Sequence, residues 1–268
     1  MKGTKTGVSL AVVFSLLLAA SIPALAADDD ATKEYSVTLV DRYAYVGNLS
    51  DYGKDYLYPV IQYHFPPDGW DETFCWNDTA AWDIDFGKLT SGYEGLDEAD
   101  FHFHWGHGGP DQNTGHKEIC LYNWSFGDED PDDVRGDVSW DEVYGKWELD
   151  SEWAFILSCS LLEGDEVSYW GSALNRSHMI LGFSTPAYGD DRRCLDEFLL
   201  RTLQAEQTVI ESYYRATLYN YNASTNATAI SDTLDQWNND HFWGHGTVSP
   251  DESPNDGTVW FARWTCGG

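Results

Sequence analysis

Apolar positions in this chain gather into a few short, dense runs separated by long polar stretches. Tyr35-Ser-Val-Thr-Leu-Val40 is rich in β-branched and aromatic residues and predicts a first strand. Ala99–Trp105 predicts a second. Trp153–Ser158 and His178–Phe183 are dense apolar runs, the pattern of strands buried on both faces. Residues 41–98 are rich in Tyr, Trp, Gly and Asp and read as irregular, with short strands near Val60–His64 and Ala81–Phe86. From Cys194 to Tyr219 the residues Leu195, Phe198, Leu199, Thr202, Ala205, Val209 and Tyr213 recur at three- and four-residue spacing, which predicts one long amphipathic helix. His241–Trp264 reads as two more strands joined by the loop Ser249–Pro254. Apolar strands separated by helix-length segments make an α/β domain with a mainly parallel sheet. No linker interrupts residues 27–268, so they form a single domain.

The first 26 residues do not belong to that pattern. Lys2 and Lys5 precede an apolar run from Val8 to Ala20, and Ala24-Leu-Ala26 has the small-x-small form of a cleavage site. This is the layout of a secretory signal peptide, so the mature protein is secreted or extracellular, with no membrane attachment after cleavage. Asn-x-Ser/Thr triplets at Asn48, Asn77, Asn123, Asn175, Asn222 and Asn226 fit an exported glycoprotein. So does the cysteine count, since Cys75, Cys120, Cys194 and Cys266 can form two disulfides if Cys159 stays free. Over its 268 residues the chain carries 15 Lys+Arg against 45 Asp+Glu, a net charge of −30. That balance excludes a nucleic-acid partner bound through basic residues and suits high salt, where self-repulsion is screened. An aromatic share of 15 % excludes a disordered acidic tail.

Candidate chemistry concentrates where two buried strands end. One runs Phe101-His-Phe-His-Trp-Gly-His107-Gly-Gly109 and the other Phe155-Ile-Leu-Ser-Cys159-Ser160. Strand C-termini of a parallel sheet face the ligand crevice. A His and a Cys at adjacent ends form a base and a nucleophile, and a flanking glycine leaves a backbone N–H for an oxyanion. This layout resembles the caspase, gingipain and separase type of cysteine peptidase. The resemblance implies a caspase-like three-layer α/β sandwich and a catalytic dyad of His107 and Cys159. Gly108 and the Cys159 amide then form the oxyanion site, the substrate is a peptide or protein, and no cofactor is needed. Trp170, Ala173, Leu174 and His178–Thr185 further resemble an uncharacterised secreted microbial branch of that type. The caspase Gln-Ala-Cys-Arg-Gly signature is absent, because the chain reads Leu157-Ser-Cys-Ser-Leu161; specificity for Asp does not carry over.

Two other readings compete. His102, His104 and His107 resemble the His-x-His-x-Asp-His motif of metallo-β-lactamase-fold zinc hydrolases, with Gly106 in place of the Asp. A non-catalytic exported protein that keeps the scaffold to bind a glycan or a protein is the third reading. His245, in a second Trp-Gly-His-Gly, is a rival site histidine, and His178 fits a packing role. Asp128–Asp137 is an acidic loop without the Gly and Glu spacing of an EF-hand.

Overall fold

The computed structural model describes residues 32–87, 93, 95–124, 136–251 and 258–268. The expected signal peptide, residues 1–26, and most of the Asp128–Asp137 loop lie outside them. The centre is a seven-stranded sheet. Its strands are β1 (Glu34–Leu39), β2 (Asp71–Asn77), β3 (Phe101–Trp105), β7 (Trp153–Leu157), β8 (Met179–Phe183), β9 (Asn226–Ser231) and β10 (Trp260–Thr265). The spatial order is β10-β9-β8-β7-β3-β1-β2. Five neighbouring strands from β2 to β8 are parallel, and β9 runs antiparallel to both β8 and β10. A small antiparallel sheet of β4 (Gly108–Pro110), β5 (Lys117–Cys120) and β6 (Asp137–Val138) follows β3.

Strand alternation divides the side chains between two cores. On one face Val37, Phe101, Phe103, Phe155 and Leu181 pack under α1 (Tyr58–His64), α3 (Asp191–Leu203) and α4 (Val209–Asn220). On the other, Ala154, Ile156, Ile180 and Ile230 meet Trp147, Trp170 of α2 (Glu166–Gly171) and the small sheet. A short α5 (Leu234–Asn239) follows β9. Most large aromatics serve as core, with Trp70, Trp147, Trp153 and Trp170 fully enclosed. Among the described residues no helix is long and apolar enough to cross a membrane.

The strands expected at Ala99–Trp105, Trp153–Ser158 and His178–Phe183 are present as β3, β7 and β8. Several expectations are corrected. Val60–His64 is helical: Pro59 opens α1, and Leu57, Val60, Ile61 and Phe65 bury one face at helical spacing. Ala81–Phe86 holds a 3₁₀ turn, Asp83–Phe86, with no strand. The long helix is two helices. Glu206 takes a left-handed φ of 51°, and the Thr208 hydroxyl accepts from the Glu211 amide to start α4. The stripe continues across this break because α3 and α4 share one core. Among its described residues the region His241–Trp264 contributes one strand, β10.

The cysteines differ from expectation too. All five are free thiols, so the two bridges do not form. Cys120 and Cys194 are wholly buried as small core groups, and Cys266 is nearly so. Among the sequons, Asn48 and Asn222 are exposed. The Asn175 amide is already committed, donating to the Gly145 carbonyl at 3.1 Å and to Glu148 at 2.8 Å.

Candidate active site

β3 and β7 lie side by side and end level, with Trp105 opposite Leu157. The Gly106 amide donates to the Leu157 carbonyl at 3.4 Å, and the Ser158 hydroxyl to the Gly106 carbonyl at 3.2 Å. Beyond this stitch His107 and Cys159 are partly exposed. Gly108 presses directly on Cys159. A Cβ at Gly108 would lie 2.3 Å from the Cys159 carbonyl oxygen and 3.1 Å from its nitrogen, so only glycine fits. His107, Gly108 and Cys159 are thus brought together.

The loop after β1 fixes His107. Its Nε2 lies 2.8 Å from the Gly47 carbonyl oxygen. A carbonyl only accepts, so Nε2 carries the proton and a neutral ring keeps its lone pair on Nδ1. The Tyr43 ring packs on the imidazole with centroids 4.7 Å apart, and its hydroxyl accepts from the His107 amide at 2.6 Å. Burial raises the Tyr43 phenol well above its usual range, so it stays neutral. The loop itself hangs on buried Asp41. That carboxylate accepts from the Gly53 amide (2.8 Å), the Lys54 amide (3.0 Å) and the Trp105 indole (3.1 Å), while the Asp41 carbonyl accepts from the Leu49 amide at 2.6 Å.

Cys159 sits at the crest of a turn. Ser160 takes a left-handed φ of 58°, costly for a residue with a side chain, and its amide donates to the Thr185 carbonyl at 3.1 Å. Burial raises the Cys159 thiol above its ordinary value; the Ala187 amide pulls it down and the Asp191 carboxylate adds to the rise. At neutral pH the sulfur therefore holds its proton until a base takes it. Gly108 stands in a non-hydrogen-bonded pair with Ile119, because the adjacent ladder bond runs from the Cys120 amide to the His107 carbonyl. Among the described residues neither the Gly108 nor the Cys159 amide has an acceptor. Two backbone donors thus stand open at the Gly108–Cys159 contact.

His102 and His104 point to the opposite face of β3 from Phe101 and Phe103. Both are wholly buried and serve as a cross-strand polar ladder. His102 bonds Ser36 Oγ through Nδ1 (2.8 Å) and Thr38 Oγ1 through Nε2 (3.1 Å), and His104 Nδ1 bonds Thr38 Oγ1 (2.8 Å). Burial holds both rings neutral, pushing His102 down to about 3 and His104 well below its usual value. The rings contact the edge of Phe86. With both His102 nitrogens engaged and His107 turned to Gly47, the three histidines do not converge on one point. Among the described residues the one grouping with metal-like spacing is Glu34, Asp100 and Asp150.

His178 and His245 lie at the opposite end of the sheet. His245 pairs with Asp68 at 2.7 Å, next to Lys33, which precedes β1. His178, just before β8, is clamped between Asp240 (2.9 Å) and Asp251 (3.2 Å).

A family model described as a domain of unknown function, DUF6345, matches residues 60–264. The chain belongs to the DUF6345 family. Both strand ends, with His107, Gly108 and Cys159, fall inside the DUF6345 span, whereas β1 and the loop bearing Asp41, Tyr43 and Gly47 precede it. Comparison with curated proteins returns no match. Asp41, Tyr43 and Gly47, which hold His107 in place, are the residues of the candidate site that the sequence does not reveal. A backbone carbonyl has no sequence signature, and a Tyr in a Tyr-rich stretch does not stand out.

Proposed function

We propose that this chain is an exported, caspase-like cysteine peptidase that hydrolyses peptide bonds with Cys159 as nucleophile and His107 as base. The observation that carries the reading is the packing of Gly108 on the Cys159 backbone, which sets the histidine end of β3 and the cysteine end of β7 side by side. The Gly47 contact leaves Nδ1 of His107 as the nitrogen able to take the thiol proton. The resulting thiolate attacks the scissile carbonyl carbon. Negative charge moves to the carbonyl oxygen, where the Gly108 and Cys159 amides stabilise it. As the tetrahedral intermediate collapses, the C–N bond breaks and the imidazolium gives its proton to the leaving amine. Water, deprotonated by His107, then hydrolyses the thioester and restores the thiol. Export rests on the N-terminal layout of charged, apolar and small residues.

The test is a peptide-library screen of the purified chain beside its Cys159→Ala variant, together with a thiol-directed probe. Hydrolysis that disappears in Cys159→Ala, and labelling of Cys159 that slows in His107→Ala, is the expected result. Equal hydrolysis by both proteins would refute the assignment.

A further inference from the structure

A concave surface lies at the same end of the sheet, on the far side of β1 from His107. The end of edge strand β2 and the 3₁₀ turns Asp78–Ala80 and Asp83–Phe86 form a cavity of about 400 Å³, walled by Trp76, Trp82, Ile84, Asp85 and Tyr93. Trp76 and Trp82 are 39 % and 36 % exposed, in a chain that fully encloses four other tryptophans. Their polar edges are already used inside the wall. The Trp82 indole donates to the Thr79 carbonyl at 3.1 Å and the Trp76 indole to the Tyr93 hydroxyl at 3.2 Å. Tyr93 is in turn hydrogen-bonded to Asp85. The cavity therefore presents aromatic π surface backed by a carboxyl group. Asp85 is buried, accepts from the Trp82 amide at 2.7 Å, and has no cationic partner among the described residues.

This combination selects among ligands. A sugar's hydroxyls need donors as well as acceptors, and here the donors of both indoles and the phenol are already spent, leaving Asp85 as an acceptor alone. A purely apolar guest gains nothing from a buried carboxylate. A soft cation gains from both, since aromatic faces attract it through their quadrupoles and the carboxylate supplies the counter-charge. A net charge of −30 further concentrates cations at this surface. We propose that the Trp76–Trp82–Tyr93–Asp85 cavity binds a quaternary ammonium group carried by a small molecule.

Choline and its uncharged isostere 3,3-dimethylbutan-1-ol, titrated into the full chain by calorimetry and by Trp fluorescence, test this. Choline should saturate and the isostere should bind at least about tenfold more weakly. Trp76→Ala should weaken choline about tenfold by removing an aromatic wall. Asp85→Asn keeps an acceptor for the Trp82 amide while removing the charge, so it carries the test if Trp76→Ala does not fold; it too should weaken choline severalfold. Equal affinity for choline and the isostere would make this a plain apolar pocket and overturn the proposal. So would failure of choline to bind, or unchanged choline affinity in Asp85→Asn.

Discussion

Gly108→Ala places one methyl group into the closest contact of the candidate site. The new carbon would lie 2.3 Å from the Cys159 carbonyl oxygen, where non-bonded heavy atoms prefer about 3.5 Å. Relief requires either β4 or the 158–160 turn to move by roughly 1 Å, and both are main chain. Misplacing reacting groups by about 1 Å costs on the order of 100-fold in rate, and overpacking costs about 1–3 kcal/mol of stability. For a domain of this size that is a drop of several degrees in Tm. Gly109→Ala supplies the control. Its methyl group would meet the Trp124 ring at 2.4 Å and Cys120 Sγ at 3.3 Å, side chains that can shift, so it should lower Tm while leaving the Gly108–Cys159 contact intact. The assay is the second-order rate of Cys159 labelling by an electrophilic peptide probe, with thermal melts of both variants. If Gly108→Ala labels at the wild-type rate, the contact does not register the two halves of the site. If Gly109→Ala loses as much rate as Gly108→Ala, the loss reflects general destabilisation, and the argument from close approach fails.

Other consequences are as direct. Tyr43→Phe removes the hydroxyl that accepts from the His107 amide; leaving that donor unpaired costs about 1–3 kcal/mol, and the hydrolysis rate should fall severalfold or more while the thiol is still labelled by small alkylators. His178 is buried, which alone would lower its pKa, but Asp240 and Asp251 raise it from 6.5 to about 9. The charged ring therefore stabilises the fold fully below pH 6.5, and the contribution, on the order of 3 kcal/mol, is lost as pH rises through about 9. Urea denaturation from pH 6 to 10 should show this decline, and His178→Gln should flatten it; an unchanged slope would contradict the clamp. Chelators should leave activity untouched and iodoacetamide should abolish it, because both His102 nitrogens are held by Ser36 and Thr38; loss of activity with a chelator would revive the zinc reading.

The parts legible in the sequence are those whose environment is uniform. β7 and β8 are buried along their full length and appear as dense apolar runs with no need to know their neighbours, and β3, equally buried, shows as Phe and Trp at alternate positions. The nearness of His107 and Cys159 follows from those strands, because β3 and β7 pair and end level. β2 is an edge strand in which Phe74 alone is buried, and β9 is buried but built of Asn, Ala, Thr, Ile and Ser. Their pairing comes from the sheet beside them, which local pattern does not encode. The same holds for His102 and His104. Two histidines with i, i+2 spacing look like ligands until the register of β1 is known, and that register sets Ser36 against His102 and Thr38 against His104. A polar ladder and a metal site differ only in what lies opposite.

Asp41 has a consequence for how this chain can vary. One buried carboxylate holds the exit of β1, the amides of Gly53 and Lys54, and the indole of Trp105 at the end of β3. Between two of these anchor points lies Gly47, whose carbonyl orients His107. The span from Asp41 to Gly53 is therefore a measured length of chain pinned at both ends. A residue inserted or deleted there moves the Gly47 carbonyl along its path and releases the imidazole, although neither residue of the proposed dyad has changed. Surface loops ordinarily absorb such changes. In descendants of this chain, length in the Asp41–Gly53 segment should be kept more strictly than residue identity, and a copy that loses one residue there should keep its fold and its cysteine yet lose its base.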